Sequence, residues 1–231
     1  MKVIILAGGK GTRLLPHTLE IPKTLLNING KTIIQRILES LPSEIDEIII
    51  VVKHLGDKIK ESLGDDYSGK KIIYIEQGEK AGTYGALLSA KQYFAPNEKF
   101  LVTNGDDIHD KNEYLNCLKY PRAMAVQKKV MPNYYSIDTD ENGYFTSFKT
   151  QTEEEKTNGT LVATGVYVLD SNIFLHPGVV LSSGEYGLPQ TVSEQSKQYP
   201  VKVVEASEWF SVNTIVDMQK TEEYFRKFDL N

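Results

Sequence analysis

Lys10, Arg13 and Lys23 stand in and just after a glycine-rich stretch near the start of the chain, Ala7-Gly8-Gly9-Lys10-Gly11-Thr12-Arg13. Gly8, Gly9 and Gly11 carry no Cβ, so the backbone can turn tightly and bring its N–H groups close to a ligand. Arginine presents a planar fork to an anion and lysine a compact point charge. A glycine turn with these cations is suited to hold a phosphate chain. A second chemical group is Asn104-Gly105-Asp106-Asp107, which follows the apolar run Phe100-Leu101-Val102. Carboxylates at a strand end beside an anion site point to a hard divalent cation. Asp107 can also be read as a cap of the turn, as Asp often is. The chemistry these groups can support together is substitution at phosphorus, driven by positioning and charge neutralisation. The four histidines, His17, His54, His109 and His176, lack metal-ligand spacing. No Ser-His or Cys-His arrangement can be argued.

Two common glycine motifs fail here. The Walker pattern of Gly, four residues, then Gly-Lys-Ser/Thr is absent, and the dinucleotide fingerprint would need glycine where Leu14 stands. The longer string is more specific. Leu6-Ala-Gly-Gly-Lys-Gly-Thr-Arg13-Leu-x-Pro-x-Thr18, followed by Ile21-Pro-Lys23-Thr-Leu-Leu26, closely resembles the signature of the sugar-1-phosphate nucleotidyltransferases. The resemblance implies that Leu6, Ala7, Gly8, Gly9, Gly11 and Thr12 surround a nucleotide, with Arg13 and Lys23 on its phosphates as the catalytic cations. It implies an NTP and a sugar 1-phosphate as substrates and Mg²⁺ as cofactor, with Asp106 as one metal ligand.

Further strings extend the resemblance over nearly the whole chain. Gln77 lies five residues before Gly82-Thr83-Tyr84-Gly85-Ala86. Taken alone, this turn at a helix start serves either an anion or close packing; in the family the glutamine reads a uracil or thymine. A side-chain amide offers a donor and an acceptor to an imide edge, so UTP or dTTP is expected over CTP and GTP. Tyr84 departs from the small residue usual at its position, and its ring could narrow the base pocket or stack on the base. Thr164-Gly165-Val-Tyr and Gly184-Glu185-Tyr-x-Leu188 resemble sugar-facing segments, assigning Gly165 and Glu185 to the acceptor. A Glu-Lys pair in the family meets the sugar phosphate. Glu155-Lys156 matches it, and Phe148-Lys149 gives a competing register. Asn213 matches the second magnesium ligand, with Ser211 as the alternative register. Asn213-Thr214 with Asp217 reads equally as the N-terminal cap of the last helix.

These residues must be carried by elements that repeat in a simple way. Val3 to Leu6, Glu47 to Lys53, Lys71 to Glu76 and Lys99 to Thr103 read as strands, the first two strongly apolar as in strands buried on both faces. Helical spacing runs from Lys31 to Leu41, from Asp57 to Leu63, through Phe94 after Gly82, and from Ile215 to Phe228. This alternation predicts an α/β, Rossmann-like doubly wound sheet, mixed but mostly parallel, with ligands at the carboxyl ends of its strands. From Arg122 onward the strands Ala123 to Val130, Tyr134 to Asp138, Tyr144 to Lys149 and Leu161 to Leu169 predict an inserted sugar-binding β region. Residues 1–231 are read as a single nucleotidyltransferase domain, 1–120 nucleotide-binding and 121–231 sugar-binding with a C-terminal helix.

A length of 231 residues, 40% hydrophobic and 25% charged, is ordinary for one globular α/β domain. The net charge of −5 argues against nucleic acid or an anionic membrane as partner, so the cations must act locally. The single cysteine, Cys117, cannot form an internal disulfide. No apolar run approaches the ~18 residues of a membrane span, and the opening shows no signal-peptide layout. A cytoplasmic protein is expected. No hexapeptide repeat is present to imply an acetyltransferase. A silent sugar-nucleotide sensor is disfavoured by the intact Arg13, Lys23 and Asp106. Asp138-Thr-Asp140 spells a glycosyltransferase motif, but in a turn of the acceptor region. CTP with an alcohol phosphate remains an alternative substrate pair.

Overall fold

The computed structural model describes residues 1–228. Eight strands form the central sheet: β1 (Lys2–Leu6), β2 (Glu47–Val52), β3 (Asp66–Tyr67), β4 (Lys70–Glu76), β5 (Lys99–Asn104), β6 (Ala123–Lys129), β7 (Thr160–Asp170) and β8 (Lys202–Glu205). Their spatial order is β8-β6-β7-β5-β1-β2-β4-β3. The run from β5 through β1 and β2 to β4 is parallel, and β8 lies parallel to β6. Strand β7 runs antiparallel to both β5 and β6, and the short β3 antiparallel to β4. This is the mixed, mostly parallel α/β sheet expected.

Helices cover both faces: α1 (Ile33–Ser40), α2 (Gly56–Leu63), α3 (Thr83–Ser89), α4 (Lys111–Leu118), α5 (Glu153–Asn158), α6 (Leu188–Gln195) and α7 (Ile215–Phe228). Successive side chains of a strand point to opposite faces. Val3, Ile5, Ile48 and Ile50 therefore enter one apolar cluster with Ile33, Ile34, Ile37 and Leu38 of α1. Ile4, Ile49 and Val51 enter the other, with Leu87 of α3 and Val192 of α6. Two covered faces require apolar residues at every position, hence the unbroken runs in the sequence. Helix α1 is started by a reciprocal capping box: Gln35 N–H donates to Thr32 Oγ1 at 3.3 Å and Thr32 N–H to Gln35 Oε1 at 2.8 Å.

Several expectations shift by one or two residues, and three differ in kind. The helix expected through Phe94 stops at Ser89, followed by a separate 3₁₀ turn over Lys91–Tyr93. Of the inserted strands only β6 and β7 join the main sheet. Ser136–Thr139 and Phe145–Lys149 pair with each other as a hairpin. Strand β8 was missed because it is short and half-buried at the sheet edge, so it carries little apolar signal.

Candidate active site

The carboxyl ends of β1, β2, β4 and β5 open onto one cleft of ≈ 950 Å³. The turn after β1 supplies Leu6, Ala7, Gly8, Gly9, Lys10, Thr12 and Arg13 to its lining. Gly11 stands behind them in the left-handed conformation, φ 63°, and a Cβ there would lie 2.9 Å from Thr18 Cγ2 and 3.1 Å from Lys23 Cβ. The Thr18 hydroxyl donates to the Gly11 carbonyl at 2.9 Å. Glycine is thus required for two reasons, conformation and the close approach of the Lys23 segment. The 3₁₀ turn Thr12–Leu14 then carries Arg13 into the cleft, with Leu14 buried as its anchor.

Residues nearly two hundred positions apart meet on this turn. Gly105 N–H donates to the Leu6 carbonyl at 2.9 Å, which keeps the 105–107 turn against the end of β1. The segment Asp107–His109 pairs antiparallel with Trp209–Ser211, Ser211 opposite Asp107, and Val212 N–H donates to the Asp106 carbonyl at 3.0 Å. That pairing sets Asn213 beside Asp106. The Lys23 ammonium donates to Asp106 Oδ2 and, at 2.9 Å, to Asn213 Oδ1. Arg13 Nη2 donates to the same Asn213 oxygen at 2.6 Å. Capping of α7 falls to its neighbours: Thr214 Oγ1 accepts from Asp217 N–H at 3.2 Å, and Asp217 Oδ2 accepts from Thr214 N–H at 2.8 Å. The Asn213 side chain is left to the site.

The oxygens of Asp106 and Asn213 could hold magnesium. They form an all-oxygen pair bridged by a cation, the Lys23 ammonium. Magnesium takes one or two carboxylates plus substrate phosphates and water, not a full protein cage. The described residues contain no group of three acidic, histidine or cysteine side chains that could hold a metal by themselves.

Asp107 is not the exposed turn cap allowed by the sequence. It is buried, accepting from Asn104 Nδ2 at 2.9 Å and from the Trp209 indole N–H at 2.8 Å. Burial, together with the neighbouring Asp106 carboxylate, pushes its pKa up to about 6. Gly165, φ 90°, packs against this pair: a Cβ there would lie 2.3 Å from Asn104 Nδ2 and 2.6 Å from Asp107 Oδ2. Gly165 backs the floor, and it is absent from the cleft lining. Its glycine identity answers to packing. Behind it, buried His109 bridges Glu113 Oε2 at 2.9 Å and the Thr164 carbonyl at 3.2 Å.

At the other end, Gln77 sits on Gly8: its Oε1 would be 2.8 Å from a Gly8 Cβ. Its Nε2 donates to the Lys80 carbonyl at 2.9 Å and the Gly82 carbonyl at 3.3 Å. Both amide hydrogens are used within the loop, so Gln77 offers the cleft an acceptor alone. This corrects the donor-and-acceptor reading of that amide. Gly82, Thr83 and Gln77 all line the cleft. The Thr83 hydroxyl, however, accepts from Leu188 N–H at 3.0 Å, latching α3 to the start of α6. Tyr84 is absent from the cleft lining. It is buried in the second apolar cluster, its hydroxyl donating to the carbonyls of Ile173 at 2.9 Å and His176 at 2.6 Å.

Glu185 also lines the cleft, with Tyr186, Gln190, Ser211 and Tyr134. Tyr134 lies edge-on to Trp209, ring centroids 6.3 Å apart. Burial and the Asp107 and Asp106 charges raise its pKa, keeping the phenol neutral. Lys156 is not brought to the cleft: it pairs with Glu153 at 2.6 Å on α5. Nor is Lys149, which pairs with Asp138 at 2.8 Å. Periodicity could not separate a short, charged surface helix from a ligand loop. Sequence reasoning gave no role to Lys53, Tyr134 and Gln190, which line the cleft, and quoted Asn104 only as part of its turn. Lys53 and Asn104 had a usable signal, because each stands at the carboxyl end of an apolar parallel strand.

The Nucleotidyl transferase family model matches residues 2–185. The chain is 32% identical over 228 residues to the bifunctional protein GlmU of Methanocaldococcus jannaschii, covering 97% of this chain and 54% of that one. It therefore spans about half the length of that relative. It is 30% identical over 230 residues to the D-glycero-alpha-D-manno-heptose 1-phosphate guanylyltransferase of Campylobacter jejuni, with 97% of each chain covered. A Bacillus anthracis structure assigned as a glucose-1-phosphate thymidylyltransferase, solved with sucrose, superposes with a TM-score of 0.82 at 25% identity, covering 98% of this chain and 95% of that one. With the glycine turn, its two cations and the Asp106–Asn213 pair gathered at the carboxyl ends of a matching sheet, the chain belongs to the nucleotidyl transferase family.

Proposed function

We propose that this protein transfers a nucleotidyl group from an NTP to a sugar 1-phosphate, giving an NDP-sugar and pyrophosphate. The observation that carries this reading is the meeting of Arg13, Lys23, Asp106 and Asn213 at one end of a glycine-turn cleft. A phosphate oxygen of the sugar 1-phosphate attacks the α-phosphorus of the NTP, forming the new P–O bond as the bond to pyrophosphate breaks. No protein nucleophile is needed, because the phosphate monoester is itself one. The protein's contribution is alignment and charge neutralisation. Arg13 and Lys23 turn from Asn213 and Asp106 to the phosphates when the triphosphate enters, which leaves those two oxygens for a metal. Asp106 and Asn213 would hold Mg²⁺, which would supply charge neutralisation. The Gly8–Thr12 backbone and Gly82–Thr83 border the nucleotide, and Glu185 and Tyr134 border the sugar.

UTP or dTTP is the expected donor, since Gln77 Oε1 can accept from the ring N–H of uracil or thymine. Cytosine lacks that N–H. Guanine has one, so with its amide hydrogens committed to Lys80 and Gly82 Gln77 does not reject GTP; this favours GTP as the second reading, alongside the relative named for guanylyl transfer. The test is a matrix of UTP, dTTP, GTP, CTP and ATP against a panel of sugar 1-phosphates, read by pyrophosphate release with and without Mg²⁺. Release from no pair would overturn the enzyme reading. CTP or ATP turning over tenfold faster than the others would overturn the base assignment alone.

A further inference from the structure

We infer that Lys53 is a specificity-determining residue of the nucleotide site, donating to the ring carbonyl that flanks the N–H accepted by Gln77. The inference rests on the function proposed above and names the base class that the site takes. Lys53 follows β2 directly and lines the cleft. Gln77 follows β4, the strand beside β2, and its backbone N–H donates to the Val52 carbonyl at 2.8 Å. The two side chains flank the same glycine: a Cβ on Gly8 would stand 2.8 Å from Gln77 Oε1 and 3.2 Å from Lys53 Cβ. The Gln77 acceptor and the stem of Lys53 thus lie against the same glycine, and both residues line the cleft, so the flexible Lys53 side chain is within reach of a ring held by Gln77.

Among the described residues the Lys53 side chain has no hydrogen bond or ion pair, and the residue is exposed. Lys23 and Arg13 are both engaged by Asp106 or Asn213, and Lys10, the other cation lining the cleft, belongs to the glycine turn after β1, whereas Lys53 stands beside Gln77. The amide of Gln77 cannot supply the donor that an oxo base requires, because Lys80 and Gly82 hold both its hydrogens. Lys53 can. Uracil and thymine place a carbonyl on each side of N3–H, and guanine places O6 beside N1–H. Each matches an acceptor next to an ammonium, and lysine on guanine O6 is a common pairing. Cytosine puts an amine beside an unprotonated N3, and adenine an amine beside N1. With those bases the ammonium would face a donor and the Gln77 oxygen would face a lone pair. The site therefore takes oxo bases bearing a ring N–H.

The test compares wild type with Lys53→Met, which keeps the apolar stem, and Lys53→Arg, which keeps the charge. Steady-state pyrophosphate release is measured with UTP, dTTP, GTP, CTP and ATP and the best sugar 1-phosphate. The loss of one hydrogen bond from a charged donor is expected to lower kcat/KM for the preferred oxo-base NTP by about 10- to 100-fold. The loss should appear mainly in KM, because the base is bound equally in ground and transition states. CTP and ATP should change by less than about threefold, and Lys53→Arg should restore most of the loss. An equal fall for all five NTPs would make Lys53 a phosphate contact and overturn the inference, as would no change with any of them. Failure of wild type with every NTP would instead overturn the function on which the inference rests.

Discussion

Replacing Gly82 by alanine should damage both the fold and the nucleotide site. Gly82 adopts φ 89°, ψ 175°, a region open essentially to glycine, and a side chain held there costs about 1–3 kcal/mol. A Cβ would also lie 2.5 Å from the Tyr186 carbonyl oxygen and 2.8 Å from its nitrogen. These are backbone atoms, pinned by the Tyr186 N–H bond to the Ala81 carbonyl at 2.8 Å, so they cannot turn aside. Overpacking of that kind costs about another 1–3 kcal/mol. Together the two effects predict a loss of roughly 2–6 kcal/mol, a large fraction of the ~5–15 kcal/mol that holds a typical domain folded. The Gly82 carbonyl also accepts from Gln77 Nε2 at 3.3 Å, so relief of the clash must move the Gln77 amide, which lines the cleft. KM for the NTP should rise at least about tenfold in the protein that still folds. Urea unfolding followed by circular dichroism gives the stability change, with Gly9→Ala as control: nothing lies within 4 Å of a Cβ at Gly9, and its φ is not in the left-handed range. The control should stay within about 1 kcal/mol of wild type. A Gly82→Ala protein as stable as the Gly9 variant would refute the reasoning.

Arg13→Ala should lower turnover by roughly two or more orders of magnitude, as removal of a charge clamp does. Its unfolding midpoint should hardly move, because the guanidinium is exposed; near-normal turnover would remove the core of the proposed function. Asp106→Asn should abolish Mg²⁺-dependent pyrophosphate release at saturating NTP, and full activity would exclude Asp106 as a metal ligand. Asp107 should instead reveal itself through pH. Its pKa is raised from 3.8 to about 6 in the folded protein, so the native state holds the proton more tightly than the unfolded chain. Its favourable contribution is complete below about pH 3.8 and is lost as pH rises through about 6, by roughly 3 kcal/mol at ~1.4 kcal/mol per unit. Stability measured in urea at pH 4 and pH 7.5 should therefore shift in favour of Asp107→Asn, relative to wild type, at the higher pH. A constant difference between the two proteins would contradict that sign.

The sequence by itself determined most of the local elements and the glycine turn with its cations. The unbroken apolar runs of β1 and β2 could only be strands covered on both faces, because every residue of such a strand meets a packed side chain. Gly8, Gly9 and Gly11 beside Arg13 marked the cation-bearing turn because conformational freedom and charge are properties of single residues. Only the tertiary structure decided what depends on which distant segments pair. Asn213 reaches Asp106 through the pairing of Trp209–Ser211 with Asp107–His109, and no periodicity within either segment specifies its partner. The same holds for β7, whose antiparallel insertion beside β5 turns a parallel half-sheet into a mixed one. Burial decided the rest. Asp107 and Tyr84 read in the sequence as a turn cap and a pocket wall, and both prove to be interior groups with fixed hydrogen bonds. Lys156, placed on the acceptor by a short motif, is held on a surface helix by Glu153. A side chain's chemistry is written in its type, but its direction is set by the packing of elements that lie far away in the chain.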